Sequence, residues 1–317
     1  MTTSAASQTD SNIRAILLMA ASMVLFAIDD AAIKLAGTLG SADGSGGEAS
    51  PGEIIMIKGI LGGLVYGAMM LRDGEQPTPA FIKAIASDKM IAARTAGDLL
   101  AAMAIITGLT LLPLSELSAV LQVQPLVITV GAAIFLKETV GWRRWTAILI
   151  GFAGVMIIIR PSAEGYSLDI IWAFLAVLGL ATRDLVTRQV KTGFSTFSIV
   201  TYVAVLLIPM GLVMHLVMEN EPLFQGLAPA AWAFVIGGGV FGMAGYYAIT
   251  LSLRMGEISA VAPYRYTRLV AALILGFLVF REVPDTGMII GSIMVIGAGL
   301  FTLYREQQIK KAQRQAS

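Results

Sequence analysis

The 317-residue sequence contains no cysteine and a single histidine, His215. Without cysteine there are no disulfides, no thiol nucleophiles and no thiolate-held metals. One histidine argues against a histidine-based triad or a histidine-rich metal site, so neither a catalytic group, a metal nor a cofactor is expected. Charge is scarce too: 14% of residues are charged against 56% hydrophobic, with a mean hydropathy of +0.79. Soluble domains carry roughly 25% charged residues. A chain this apolar cannot hide its surface in a water-soluble core, so lipid must be its solvent. A net charge of +1 argues against a nucleic-acid partner, which calls for a basic face. No G-x-x-x-x-G-K-[ST] run is present, so the phosphate-cradling loop of an ATP-driven pump is missing as well.

What the sequence has instead is apolar stretches. A membrane-spanning helix needs ~20 mostly apolar residues, and ten such stretches are bounded by charge, Pro or Gly: 13–35, 53–71, 90–111, 115–136, 142–160, 168–188, 195–218, 231–253, 257–280 and 284–304. The first, running from Ile13 past Ile28 into Asp29 and Asp30, is too long for a signal peptide and lacks a small-x-small cleavage site, so it reads as a retained span. Residues 1–12 are polar and are expected to be a disordered cytoplasmic terminus; residues 305–317 form a basic cytoplasmic tail. Lys and Arg gather in alternate links, while links 36–52 and 219–230 have neither. Because basic residues favour the cytoplasmic side of short loops, both termini are assigned to the cytoplasm.

The chain repeats itself. SELSAV at 115–120 leads into the fourth span and GEISAV at 256–261 into the ninth. Each of those spans closes on a basic–Glu pair, Lys137–Glu138 and Arg281–Glu282, followed by a glycine-bearing span. Asp30 and Lys34 are spaced like Asp184 and Arg188, at one common offset. Five spans per half is an odd number, so the second half (168–304) must enter the membrane inverted relative to the first (13–160). Inverted repeats are a transporter architecture, with the solute site near the midplane between the halves.

These stretches carry a family resemblance. LPLSELSAVLQVQPLVITVGAAIFLKETVGWRRWTAILIGFAGVMIIIRP at 112–161, RMGEISAVAPYRYTRLV at 254–270 and FREVPD at 280–285 resemble the drug/metabolite transporter superfamily, specifically its ten-helix EamA-type members, over residues 13 to about 306. The resemblance implies an all-α membrane protein of the bacterial inner membrane, a 5+5 inverted bundle with a central cavity lined from both halves. In one branch, members that look like this chain take up S-adenosylmethionine or riboflavin; other relatives export amino acids.

Ionisable side chains inside a span cost ~2.5–3.5 kcal/mol on insertion scales and normally face a bundle interior or water. Here they are Asp29, Asp30, Lys58, Arg94, Asp98, Arg183, Asp184, Arg265 and Arg268. The carboxylates Asp29 and Asp30 suit cation recognition or proton coupling, or alternatively an interfacial pair with Lys34; adjacent residues diverge by about 100° on a helix, so they cannot face one cavity equally. Arg94 and Asp98, four apart, share a helical face. In the ninth span Pro263 removes a backbone donor and invites a kink, while Tyr264, Arg265 and Arg268 bring an aromatic ring and guanidinium forks suited to a carboxylate or phosphate. The alternative is an interhelical lock with Asp98 or Glu257. Gln122, Gln124 and Pro125 hold the corresponding place in the fourth span. Tyr246 and Tyr247 offer an aromatic wall, and Tyr247 is taken with Asp184 into the candidate solute site. Gly237, Gly239 and Gly242 match a dinucleotide fingerprint but follow no strand, so with Gly59, Gly63 and Gly67 they read as helix-packing faces.

Three functions compete. A secondary carrier working by alternating access on a small polar or zwitterionic metabolite (an amino acid, an amine or a nucleoside-like compound) uses every feature above. It needs the bilayer, a small-molecule solute and a proton or solute gradient, and no second copy of the chain. An intramembrane enzyme acting on a lipid would need a catalytic cluster at one membrane face, and a sensor would need an effector domain.

Overall fold

In the computed structural model of the protein, residues 2–38, 47–135, 137, 141–159, 168–187, 194–218, 222–224, 227–255 and 261–316 are described. Ten of their helices are long and apolar enough to cross a membrane: Ile13–Ala36, Pro51–Arg72, Lys89–Leu111, Leu114–Phe135, Trp142–Ile159, Ile170–Thr187, Thr196–Met218, Pro229–Ile249, Pro263–Phe280 and Thr286–Arg305. They are called the first to tenth spans below. Each lies within a few residues of the stretch expected from hydropathy, because desolvating an unpaired backbone amide in lipid leaves the helix as the only open-chain solution.

Local chemistry fixes the ends. Ser50 accepts from the Glu53 amide and the Glu53 carboxylate reaches back to the Ser50 N–H at 3.0 Å, with Pro51 at the first helical position; this capping box satisfies donors the helix cannot. Asp88 accepts from the Met90 and Ile91 amides and starts the third span. Between the second and third spans, Thr78 and Pro79 start a short helix, Pro79–Ser87, where only a link was expected. At the two ends of the chain the helices outrun the spans. The first runs Thr2–Ala36 and the last Thr286–Ala316. Nucleation is the costly step of helix formation, and no Gly or Pro in these flanks stops propagation from a nucleated span.

The spans pack in a recurring set of pairs: first on eighth, third on sixth, second on seventh, fifth on tenth, first on ninth, fourth on sixth, and fourth on ninth. Replacing every span by the one five places away returns the same set. Three crossings bring backbones together at facing glycines, Gly52 with Gly211, Gly97 with Gly179 and Gly154 with Gly291, where an added Cβ would collide with the partner's main chain. Large apolar side chains such as Leu17, Leu64, Leu149, Val217 and Leu278 are left exposed around the outside, a surface suited to lipid tails rather than water.

Two spans are broken. The fourth runs Leu114–Leu121, turns at Gln122 and Val123, and resumes as Gln124–Phe135. The ninth opens as a 3-10 turn, Ala262–Tyr266, before the α-helix Thr267–Phe280. Pro125 and Pro263 sit at these breaks, each lacking the N–H that would continue an α-helical ladder. The backbone also repeats where both spans end: Lys137 (φ 53°) and Arg281 (φ 56°) are left-handed, the conformation that stops a helix.

Candidate functional site

The unwound part of the fourth span and the 3-10 turn of the ninth face a cavity of about 530 Å³. Its lining comes from the first to fourth and the sixth to ninth spans, with the fifth and tenth outside. Nine expected residues meet on it: Asp29, Asp30, Lys58, Arg94, Gln122, Gln124, Asp184, Arg265 and Arg268.

They are held as ion pairs that cross between helices. Lys58 Nζ donates to both carboxylate oxygens of Asp29 at 2.6 Å. Arg268 donates from Nε (3.0 Å) and Nη2 (2.6 Å) to Asp30 Oδ2, with its guanidinium 5.6 Å from the Phe26 ring centroid. The two aspartates therefore do diverge, each to its own cation, and neither pairs with Lys34. Asp29 fits because Gly238 and Gly242 lie against it; a side chain at Gly242 would occupy the space of its carboxylate.

A second group surrounds Asp184. It accepts from Arg183 Nε and from Gln124 Nε2, each at 2.8 Å, while Arg265 Nη1 stands 3.7 Å away, beyond hydrogen-bond reach. Asp98 sits one layer behind the lining: it takes Arg94 Nη1 at 2.7 Å and lies 3.7 Å from Arg183. It orients the two arginines instead of facing the cavity itself. Gln122 lines the cavity but turns its amide back to the Ser118 carbonyl at 3.3 Å. Glu257, the other acid considered as a lock for the ninth span, lies outside the described residues, as do Glu138 and Arg188.

Two expectations fail. Tyr247 is 46% exposed and Tyr264 41%, both away from the cavity. Adjacent helical residues diverge by about 100°, and of this pair it is Tyr246 that lines the cavity, its ring 5.6 Å from that of Tyr66. Tyr264 was placed by α-helical spacing, four residues before Arg268. In a 3-10 turn residues three apart eclipse, which carries Arg265 round to the Arg268 side and leaves Tyr264 outside. Lining residues not assigned to the site from sequence include Phe26, Arg183 and Thr187. Phe26 is one helical turn before Asp30, a spacing that would have flagged it; Thr187 receives Arg94 Nε at 3.1 Å, a contact between spans that no spacing encodes.

The two ends of the bundle differ. The cavity lining reaches Thr187, Thr196 and Ile249, where the sixth span ends and the seventh begins. At the other end Glu282 crosslinks three spans. It accepts from the Leu114 amide (2.8 Å) and from the Ser115 amide (3.0 Å) and hydroxyl (2.6 Å), with Lys34 Nζ at 3.9 Å. Lys34 is itself bonded to the Leu112 carbonyl at 2.5 Å. A carboxylate at a helix N-terminus meets aligned N–H groups and the positive end of the dipole.

A sequence profile of the EamA-like transporter family matches residues 13–160 and 167–304, and the chain belongs to that family. It is a small-molecule transporter of the bacterial inner membrane, with many passes through the bilayer. Among curated relatives, it is 28% identical over 201 residues to an S-adenosylmethionine uptake transporter of Rickettsia bellii, covering 63% of this chain and 67% of that one. It is 29% identical over 204 residues to a riboflavin transporter of Vibrio cholerae (64% and 66%). It is 26% identical over 191 residues to a pseudopaline exporter of Pseudomonas aeruginosa (59% and 65%). A solved crystal structure shares the fold at a TM-score of 0.58 and 18% identity, covering 92% of this chain and 98% of the other.

Proposed function

We propose that the chain is a secondary carrier that moves a small polar or zwitterionic metabolite by alternating access, the two five-span halves lying inverted in the membrane with both termini in the cytoplasm. The observation that carries this reading is the cavity itself: five cationic and three carboxylate side chains from both halves converge on one space of about 530 Å³. Charges in lipid are costly, and a bundle that needed only to hold together would do so with small residues and glycine contacts such as those at the span crossings. The exchange of span pairs under a shift of five, the twin breaks and the twin left-handed caps support the inverted repeat.

In this reading the structure is the inward-facing state. The Glu282 crosslink with Lys34 and the start of the fourth span closes the outer end, and the cavity lining runs to the cytoplasmic end. Outward opening requires Glu282 to leave Ser115. The carboxylates Asp29 and Asp30 are the sites for proton coupling, each able to release its cationic partner on protonation. The cavity lies within one chain, which suits a monomer. Uptake of S-adenosylmethionine or riboflavin by the relatives is compatible with a metabolite of this size and mixed character.

The test is counterflow in proteoliposomes. Labelled amino acids, amines and nucleosides should accumulate transiently when the vesicles are preloaded with the same unlabelled compound, and an imposed pH gradient should change the rate. Failure of every class to exchange would overturn the carrier reading.

A further inference from the structure

A second chamber of about 210 Å³ adjoins the charged cavity. The two share four wall residues, Phe26, Asp29, Lys58 and Tyr246. Beyond that wall the chemistry changes: the second chamber continues between the second, seventh and eighth spans over Leu61, Tyr66, Val200, Ala204, Leu207 and Met243, and among the described residues the Tyr66 phenol is its one further ionisable group. Across the shared wall, then, the lining changes from guanidinium and carboxylate groups, past three aromatic rings, to aliphatic side chains.

We propose that this side chamber is a subsite for a flat, apolar ring of the transported solute, whose anionic group is held by Arg265 in the charged cavity. The inference rests on the carrier reading and narrows its substrate class from small polar metabolites to amphipathic ones. Three observations support it. The first is size: an apolar cavity of about 150 Å³ holds a benzene molecule, so about 210 Å³ has room for one ring or a fused pair. The second is geometry: Tyr66 and Tyr246 stand tilted at 59° with centroids 5.6 Å apart, and Phe26 already faces a guanidinium, so the wall between the chambers presents π-faces. The third is the unequal use of the arginines. Arg268 is bonded twice to Asp30, Arg183 to Asp184, and Arg94 to both Asp98 and Thr187, whereas Arg265 approaches Asp184 only at 3.7 Å. Among the described residues it is the guanidinium with the fewest close partners, which suits it to take an anion. Counting Asp98 behind the wall, five cations meet four carboxylates around the site among the described residues, an imbalance that one negative group on the solute removes.

Equilibrium binding to the full chain in lipid nanodiscs tests this with defined probes: indole-3-acetate (ring and carboxylate), acetate (carboxylate alone), indole (ring alone) and octanoate (flexible chain and carboxylate). Burying a group the size of a Phe side chain contributes about 1.5–3 kcal/mol, so indole-3-acetate should bind about ten- to a hundredfold more tightly than acetate, and more tightly than indole. Filling the chamber by Leu207→Trp should erase that advantage while leaving acetate binding unchanged. Val200→Phe fills it from another side and serves if Leu207→Trp does not fold. Arg265→Ala should weaken indole-3-acetate to the level of indole. Equal binding of acetate and indole-3-acetate by the unaltered protein would overturn the subsite, and so would a ring advantage that survives both fillings. Octanoate matching indole-3-acetate would mark the chamber as a pocket for an aliphatic tail and overturn it equally. None of these outcomes bears on counterflow, so the carrier reading stands or falls separately.

Discussion

The two ends of the bundle treat a carboxylate in opposite ways. At the end holding Lys34, Glu282 is saturated: two backbone amides, one hydroxyl and one ammonium surround it, and it binds the start of the fourth span directly. In the cavity, Asp29, Asp30 and Asp184 are each partnered, yet their partners line an open space and Arg265 is only loosely engaged. The same residue chemistry therefore makes a lock in one place and an exchangeable set of contacts in the other. What separates them is the supply of backbone donors. A helix N-terminus gives Glu282 fixed N–H groups, whereas mid-span aspartates depend on long, mobile side chains whose bonds a solute can replace.

The largest effect is expected where an exchangeable contact is removed. Asp30→Asn leaves Arg268 without its acid, and flux should fall at least about tenfold, the equivalent of about 1.4 kcal/mol, at unchanged amounts of folded protein on size-exclusion chromatography. Undiminished flux would reduce the Asp30–Arg268 pair to a structural tie and erase the contrast with Glu282. Next comes the lock. Glu282→Gln keeps an acceptor for the amides but removes the charge facing Lys34, so that end of the bundle should open more often. Because the natural chain has no cysteine, Ala102→Cys gives a single reporter on the cavity wall. Its labelling by an impermeant maleimide from outside should rise several-fold, by analogy with the ~0.5–2 kcal/mol that mutations shift coupled states. Unchanged labelling would place the gate elsewhere.

A smaller effect is expected at the end of the bundle opposite Glu282, where Glu75 ties the link after the second span to the seventh. It accepts from the Ser195 amide (3.0 Å) and hydroxyl (2.6 Å) and from the Ser198 hydroxyl. Desolvation opposes its charge, but the two serines outweigh it and hold its pKa below the usual carboxylate value. A lowered pKa means that the stabilisation is present above the unfolded-state value, about 4.3, and fades as pH falls through the folded-state one. Glu75→Gln should therefore lower Tm slightly at neutral pH and match the unaltered protein in acid; a difference that grows in acid would refute the assignment. The smallest effect belongs to the tyrosines outside the cavity: Tyr247→Phe and Tyr264→Phe should leave flux unchanged and stability within about 0.5 kcal/mol. A transport defect in either would bring that face back into the site.

Much of this was legible in the sequence because lipid leaves few choices. Ten apolar stretches become ten helices, and the basic–Glu repeat at Lys137 and Arg281 reappears as two left-handed caps. Nine of the twelve residues assigned to the solute site reached the cavity, since a charge in a span has few other places to go. Spacing failed where the helix itself changed. Tyr264 was read at 3.6 residues per turn in a segment wound at three, and Tyr247 shared a polar-aromatic pair in which packing chose its neighbour.

The sequence by itself determined the class of the protein, the number of spans and the set of charges they enclose, because hydropathy and the cost of burying charge act on each residue alone. Which acid holds which base was decided only in three dimensions. Asp30 finds Arg268 instead of Lys34, and Lys34 goes with Glu282, because pairing follows where spans far apart in the chain bring their faces together. The side chamber behind Asp29 and Lys58 is likewise a property of packing, a gap between four helices that no one of them records.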